Sequence, residues 1–139
     1  MYAEAGRLIP SRAKALAHWK RTGDHDSAGG YTMTAENFVI AAERTLDRLV
    51  ARLGEAAPEV DTDIMDGVLT LQFPDGSEMV INRQEAVKQI WLAWSGGPAR
   101  FDHRGGMIWV DPRSGNTLEQ HMAGILAVHL GHPVDLPGD

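Results

Sequence analysis

The chain has 139 residues, enough for one domain with a real core, and it contains no cysteine. The absence of Cys excludes disulfides, thiolate metal sites, cysteine nucleophiles and a self-ligated iron–sulfur cluster. No apolar run reaches the roughly 18 residues that a membrane span needs, and no signal-peptide pattern is present. We therefore expect a cytoplasmic protein that has no membrane partner.

The net charge of −6 is unevenly distributed along the chain. Residues 1–32 carry five basic and three acidic side chains, whereas residues 33–139 carry eight basic and sixteen acidic ones. Because such an acidic body repels phosphate backbones, we expect no nucleic-acid partner, and cations or a basic protein surface instead. Residues 1–32 show no sustained pattern and are interpreted as a disordered tail or as a start placed upstream of Met33; a functional basic arm is the alternative.

Residues 34–54 predict the first helix. Thr34 is a good N-cap, and Gly54 is the expected C-terminal stop. Apolar residues from Phe38 to Leu53 recur at helical spacing and form one stripe. Charged residues are sorted on its two flanks, with Glu36, Glu43 and Asp47 on one side and Arg44, Arg48 and Arg52 on the other.

The middle of the chain predicts six short strands joined by loops of a few residues, which is typical of an antiparallel meander. These strands are residues 59–65, 67–73, 78–84, 88–94, 99–104 and 107–111. A second helix follows over residues 117–131, with a Thr117–Gln120 capping box and Gly131 as its stop. Both helices need one hydrophobic surface, so we predict an α+β two-layer sandwich with the N- and C-terminal helices on one face of the sheet.

Strand alternation assigns side chains to the two faces of this sheet. Trp91 lies on the side of Gln89, opposite Leu92, and Asn82 and Gln84 also point away from the helices. Because the uncovered face of an antiparallel sheet is normally polar, we predict that Trp91 is exposed there as a recognition residue. The alternative is a bulge that turns Trp91 into the core.

Four segments, "DGVLTLQFPDGSEMVINRQ", "QIWLAWSGG", "RFD" and "WVDPRSG", resemble the frataxin family in its bacterial CyaY-type branch. The resemblance extends from about residue 35 to residue 136 and defines residues 33–139 as a frataxin-like domain. Two departures stand out. Ala86 occupies the place of a common proline, and Val50–Leu53 lies where relatives often carry several acids.

The resemblance implies a role in iron–sulfur cluster assembly. Frataxins bind iron (Fe2+ or Fe3+) weakly, without a bound cluster, and dock on a cysteine desulfurase and its iron–sulfur scaffold protein. Seven carboxylates match the iron-binding positions, and we call them the acidic ridge: Glu36, Glu43, Asp47, Glu55, Glu59, Asp61 and Asp63. The positions that match the scaffold-binding sheet surface are Asn82, Gln84 and Trp91.

Several interpretations of the ridge stay open at this point. Exposed carboxylates suit hard cations but form no closed cage, so we expect weak and poorly selective metal binding. We also expect a monomer, and the sequence leaves open whether iron drives oligomerisation. One alternative is a metal-independent acidic adaptor, another a weak ferroxidase, and the simplest is a solvated acidic face. No histidine pairs with another ligand at a metal-binding spacing, and no catalytic motif is present, so we predict neither a histidine metal site nor an enzyme.

Overall fold

The structure, a computed structural model, describes residues 34–138 and places two helices and six strands in them. The helices are α1, Ala35–Ala56, and α2, Leu118–Leu130. The strands are β1, Asp61–Met65; β2, Val68–Gln72; β3, Glu78–Gln84; β4, Gln89–Trp94; β5, Gly97–His103; and β6, Trp109–Val110. The predicted tail, residues 1–32, lies outside the described residues.

The six strands form one antiparallel sheet whose spatial order follows the chain from β1 to β6. Both helices pack on the same face of this sheet. The main core therefore combines Phe38 and Leu46 of α1, Met122 of α2, and inward-facing strand residues such as Leu71 and Ile81. The predicted sandwich is confirmed, because alternation in the strands and helical periodicity each supply one apolar surface.

The predicted end of α1 at Gly54 is wrong. The helix continues to Ala56 and is capped at Ala57, whose N–H donates to the carbonyl of Leu53 at 2.8 Å. Pro58 follows immediately, and a residue before proline is disfavoured in the helical conformation. Proline, and not glycine, therefore ends this helix.

Replacing Gly54 by alanine is expected to stabilise the protein by roughly 0.5–1 kcal/mol, because this glycine lies inside a helix. A Cβ at Gly54 meets no atom within 4 Å. The matched control is Gly131→Ala. Gly131 caps α2 with φ 77°, so the same substitution there is expected to destabilise the protein by about 1 kcal/mol. Urea unfolding of both variants measures the two effects, and a loss of stability in Gly54→Ala would contradict the extended helix.

The remaining element boundaries agree with the sequence pattern to within a few residues. Thr117 caps α2 through the predicted box with Gln120, and Gly131 ends it in the left-handed conformation. The strand β1 begins only at Asp61, because the N–H of Val60 donates to Ala57 in a turn. The strand β6 is reduced to two residues.

Two polar contacts connect the helices to the rest of the fold. Trp109 donates its indole N–H to the hydroxyl of Thr45 at 2.8 Å, and both side chains are fully buried. Arg48 of α1 donates to Glu119 of α2 at 3.0 Å and to the carbonyl of Met107 at 3.3 Å. The predicted basic flank of α1 is therefore partly an inward-facing ion pair, which fixes α1 against α2.

Candidate metal and partner-binding surfaces

All seven carboxylates of the acidic ridge are exposed, as the sequence predicts. They are divided between different elements of the fold, however. Asp61 and Asp63 pair with Gln72 and Thr70 in the sheet, and alternation points them away from the face that the helices cover. Glu36, Glu43 and Asp47 belong to α1, which packs on that covered face. Within residues 34–138, no three His, Asp or Glu side chains come together as a metal site.

Glu43 is engaged by a basic partner that the sequence did not reveal. Arg83 of β3 donates through Nη1 to Glu43 at 2.8 Å and through Nε to Glu85 at 3.0 Å. The guanidinium lies over Gly67, where a Cβ would come within 2.4 Å of Nη1. This contact crosses from β3 to α1, so Glu43 connects the helix to the sheet in addition to contributing charge to the ridge.

Glu59, in the turn before β1, is paired with His132 directly after α2. The distance from His132 Nε2 to Glu59 Oε2 is 2.9 Å, and Nδ1 of the same ring lies 3.0 Å from the carbonyl of Pro133. The hydrogen bond with Glu59 raises the pKa of His132, and the same bond lowers the pKa of Glu59. The spacing of histidines and acids along the sequence did not indicate this pair, because 73 residues separate its members.

Trp91 lies on the predicted face of the sheet but is not exposed. Its neighbour Leu92 belongs to the main core, whereas Trp91 packs in a separate small cluster with Val87 and Ala93 and has 0% of its area exposed. The β3–β4 register continues without a bulge, which excludes the alternative of a turned strand. The predicted side is correct, and the predicted exposure of Trp91 is wrong.

The burial of Trp91 has identifiable causes on adjacent strands. The guanidinium of Arg100, its neighbour on β5, lies 4.4 Å from the ring centroid, a cation–π geometry. The indole N–H donates to Gln89 at 2.7 Å, and Gln89 donates to Asp102 at 2.8 Å. Arg100, an exposed residue over the indole, belongs to this surface and was missed because cross-strand neighbours depend on register.

Asn82 and Gln84 are also more buried than predicted, at 4% and 5% exposure. Asn82 pairs directly with Trp91 across β3 and β4 and donates to the carbonyl of Arg83 at 2.9 Å. Its Oδ1 is buried and accepts no hydrogen bond within the described part of the chain. Gln84 is opposite Gln89. These side chains form one row with Trp91, so we call Asn82, Gln84, Trp91 and Arg100 the sheet surface.

A cluster of Asp75, Ser77 and His129 resembles a catalytic triad in composition only. His129 Nδ1 lies 2.7 Å from the Asp75 carboxylate and 2.9 Å from the Ser77 hydroxyl. The acid and the hydroxyl therefore contact the same ring nitrogen. A nucleophilic relay needs them on opposite nitrogens. Nε2 is buried and without a hydrogen-bond partner among residues 34–138, and the ring stacks on Phe73 at 4.5 Å. The cluster fastens α2 to the β2–β3 turn.

Asp75 makes the stability of this cluster sensitive to acid. Burial would raise the pKa of its carboxyl, but the hydrogen bonds with Ser77 and His129 outweigh burial and lower the pKa to about 2 from 3.8. A lowered folded-state pKa contributes stability that is present above pH 3.8 and is lost as the pH falls through about 2. Asp75→Asn is therefore expected to destabilise the protein near neutral pH and to reduce the further loss of stability in acid.

Urea unfolding at about pH 5 and about pH 2.5 measures this difference for the native chain, Asp75→Asn and the control Asp135→Asn. Asp135 is exposed and outside the cluster. An acid-induced loss that is the same in Asp75→Asn as in the native chain would contradict the assignment.

The comparisons with known proteins agree with this geometry. The frataxin-like domain profile matches residues 31–132. The protein named iron–sulfur cluster assembly protein CyaY of Thioalkalivibrio sulfidiphilus is 41% identical over 103 residues, which cover 72% of this chain and 96% of the relative. The chain thus belongs to the frataxin-like family.

Two solved structures share its fold. The structure of frataxin from Psychromonas ingrahamii superposes with a TM-score of 0.71 at 26% identity, over 76% of this chain and all of that one. Yeast frataxin superposes with a TM-score of 0.57 at 32% identity, over 76% of this chain and 95% of that one. Within residues 34–138, neither helix is long and apolar enough to cross a membrane.

Proposed function

We propose that this chain is an iron-binding regulator or iron donor in iron–sulfur cluster assembly, which docks on a cysteine desulfurase and its scaffold protein. The observation that carries the proposal is the family match along residues 31–132, together with relatives that are named as iron–sulfur cluster assembly proteins. The protein would hold iron transiently as cargo, with no cluster of its own.

The exposure of the acidic ridge supports weak iron binding. Carboxylate oxygens are suitable ligands for iron, and each ridge position is open to a hydrated ion. Because no three His, Asp or Glu side chains come together within residues 34–138, iron would bind with few protein ligands at each place. Such sites release their metal readily, which suits delivery to a partner.

The sheet surface supports a protein partner. Asn82, Trp91 and Arg100 are register neighbours on β3, β4 and β5, all on the face away from the helices. Arg100 is exposed and holds a planar guanidinium over the indole, so a partner would meet a preorganised cation above an aromatic ring. The buried Oδ1 of Asn82 would gain a hydrogen bond from a partner's donor after a small side-chain rotation.

The metal-independent acidic adaptor is a second candidate, and one observation favours it. Glu43 and Glu59 already have cationic or imidazole partners in the protein, so part of the ridge is engaged without metal. A ferroxidase would need several converging carboxylates, and the described residues bring no three ligands together. We therefore do not propose a ferroxidase.

Charge reversal on α1 tests docking on the desulfurase. Asp47→Lys is expected to weaken binding to a purified cysteine desulfurase about fivefold or more, because complementary charges near an interface contribute roughly 1 kcal/mol or more. The control Asp135→Lys changes the net charge equally. Asp135 belongs to the C-terminal segment, which contacts the basic flank of α1 where Arg52 donates to the carbonyl of Pro137. The control charge therefore lies away from the acidic flank that carries Asp47. Isothermal titration calorimetry with and without Fe(II) separates the iron-binding regulator from the metal-independent adaptor. If both variants bind the desulfurase with equal affinity, α1 does not belong to the interface. If Fe(II) does not change the affinity of the native chain, the adaptor is favoured.

A further inference from the structure

The sheet face away from the helices, which we call the outer face, is more buried than its described neighbours explain. Both helices pack on the other face, and an uncovered face of an antiparallel sheet is normally solvated. The side chains of Thr70, Val80 and Asn82 alternate onto the outer face, yet these residues are only 2%, 0% and 4% exposed. The middle of the outer face, across β2 and β3, is therefore closed to water.

The neighbours of Val80 within the sheet are too short to close it off. Val80 pairs with Thr70 on β2 and with Ala93 on β4, so it lies between two small side chains. Arg100 lies over Trp91, and the cluster of Trp91, Val87 and Ala93 does not include Val80. Register neighbours thus explain the burial of Trp91 but leave the burial of Val80 without a cause among residues 34–138.

Two buried polar atoms show that water does not fill this place. Thr70 Oγ1 and Asn82 Oδ1 are buried and have no hydrogen-bond partner within the described part of the chain. Water would pair with both atoms on an open sheet face, because a polar atom that loses water without gaining a partner is costly. Their isolation is the effect of a covering segment.

A segment ahead of α1 has the composition that the outer face requires. Residues 7–21 contain no acid and combine five basic residues with four large apolar ones: Arg7, Arg12, Lys14, Lys20 and Arg21, and Leu8, Ile9, Leu16 and Trp19. Alternation places four acids on the outer face around its buried middle: Asp61, Asp63, Glu78 and Asp102. The segment therefore complements the outer face both in charge and in apolar surface.

The chain between this segment and α1 is long enough to reach the outer face. Residues 22–34 are 13 residues, which span up to about 43 Å when extended. Six strands spaced about 4.8 Å apart are about 24 Å across. The segment can therefore pass around an edge of the sheet from the helix side without any change in the fold.

We propose that residues 7–21 dock on the outer face, where their basic side chains meet the acidic residues and their apolar side chains cover Thr70, Val80 and Asn82. Asn82 also belongs to the sheet surface, so the docked segment competes with a protein partner for that surface. The segment is thus an autoinhibitory cover. The docking is independent of the proposed function, whereas the competition rests on it.

A spin label on this segment tests the docking in the full chain. The native chain has no cysteine, so a nitroxide on Ala17→Cys is the only label. We expect strong paramagnetic broadening of the amide signals of Thr70, Val80 and Asn82, and none at Val128, which is exposed on α2. Adding Arg12→Glu with Lys14→Glu should remove the broadening, whereas the charge-conserving control, Arg12→Lys with Lys14→Arg, should retain it.

The same label decides which copy of the segment covers the outer face. In a mixture of the isotope-labelled native chain and the spin-labelled chain without isotopes, only contacts between copies broaden signals. Broadening of Thr70 and Val80 in this mixture as strong as within one chain would overturn intramolecular docking in favour of a second copy. An absence of broadening on the outer face in both samples would overturn the docking altogether.

Calorimetry with a purified iron–sulfur scaffold protein tests the competition. Arg12→Glu with Lys14→Glu should raise the affinity by roughly twofold or more, because a surface covered more than half of the time binds in proportion to its open fraction. An affinity equal to that of the native chain would overturn the competition. If neither chain binds the scaffold, the proposed function fails together with the competition, while the spin-label result still decides the docking.

Discussion

Replacing Trp91 by alanine is expected to lower the free energy of unfolding by about 3 kcal/mol, the lower end of the range for a buried aromatic residue. Trp91 is fully buried, but its cluster with Val87 and Ala93 is small, so fewer contacts are lost than in the main core. The hydrogen bond with Gln89 is lost as well. For a domain of this size the melting temperature should fall by about 10 °C.

The control for this prediction is Arg100→Ala, which removes the cation above the ring and leaves the indole in place. An exposed cation–π contact contributes roughly 0.5–1 kcal/mol, so the fold should survive with a small loss. Arg100→Ala is therefore the better variant for testing the sheet surface in partner binding, because Trp91 variants combine lost stability with lost contacts. A melting temperature of Trp91→Ala within about two degrees of the native protein would contradict the observed burial.

Replacing Glu119 by alanine is expected to cost about 3–5 kcal/mol, as usual when one partner of a buried ion pair is removed. The side chains of Arg48 and Glu119 are only 12% and 4% exposed, so the guanidinium would lose a carboxylate that water cannot easily replace. Glu119→Gln retains an acceptor oxygen and should cost less. Urea unfolding of the two variants measures the difference.

The double variant Arg48→Met with Glu119→Leu separates charge from packing. Replacing both members of a buried ion pair by apolar groups of similar size is often neutral, so this variant should recover most of the stability that Glu119→Ala loses. A double variant that is as unstable as Glu119→Ala would show that the two side chains contribute through packing and other contacts, and not mainly through their charges.

Local pattern was sufficient to predict most of the fold. Strand alternation placed Leu71 and Ile81 in the core and Trp91 on the opposite face, and Thr117 with Gln120 marked the start of α2. These signals work because neighbours along the chain determine which side of an element a residue occupies. Some boundaries differed: Pro58 had more influence than Gly54 on the end of α1, β1 began later than predicted, and β6 was shorter.

The polar pairs could not be predicted in the same way. Arg48 and Glu119 are 71 residues apart, Arg83 and Glu43 are 40 apart, and His132 and Glu59 are 73 apart, so only the assembled layers bring them together. The burial of Trp91 depends equally on register, since Arg100 covers the indole from the next strand. Strand alternation indicates which face of the sheet a side chain occupies, whereas its neighbours on adjacent strands determine how much of its area is exposed to solvent.

An anaerobic Fe(II) titration of the full chain, followed by amide NMR, tests the proposed binding of iron by the acidic ridge most directly. We predict paramagnetic broadening confined to two patches, residues 36–47 of α1 and residues 55–63 at the start of β1, with the sheet surface around Trp91 unaffected. No localised change at several equivalents of Fe(II) would contradict iron binding by the ridge and would leave a docking protein that carries no iron of its own.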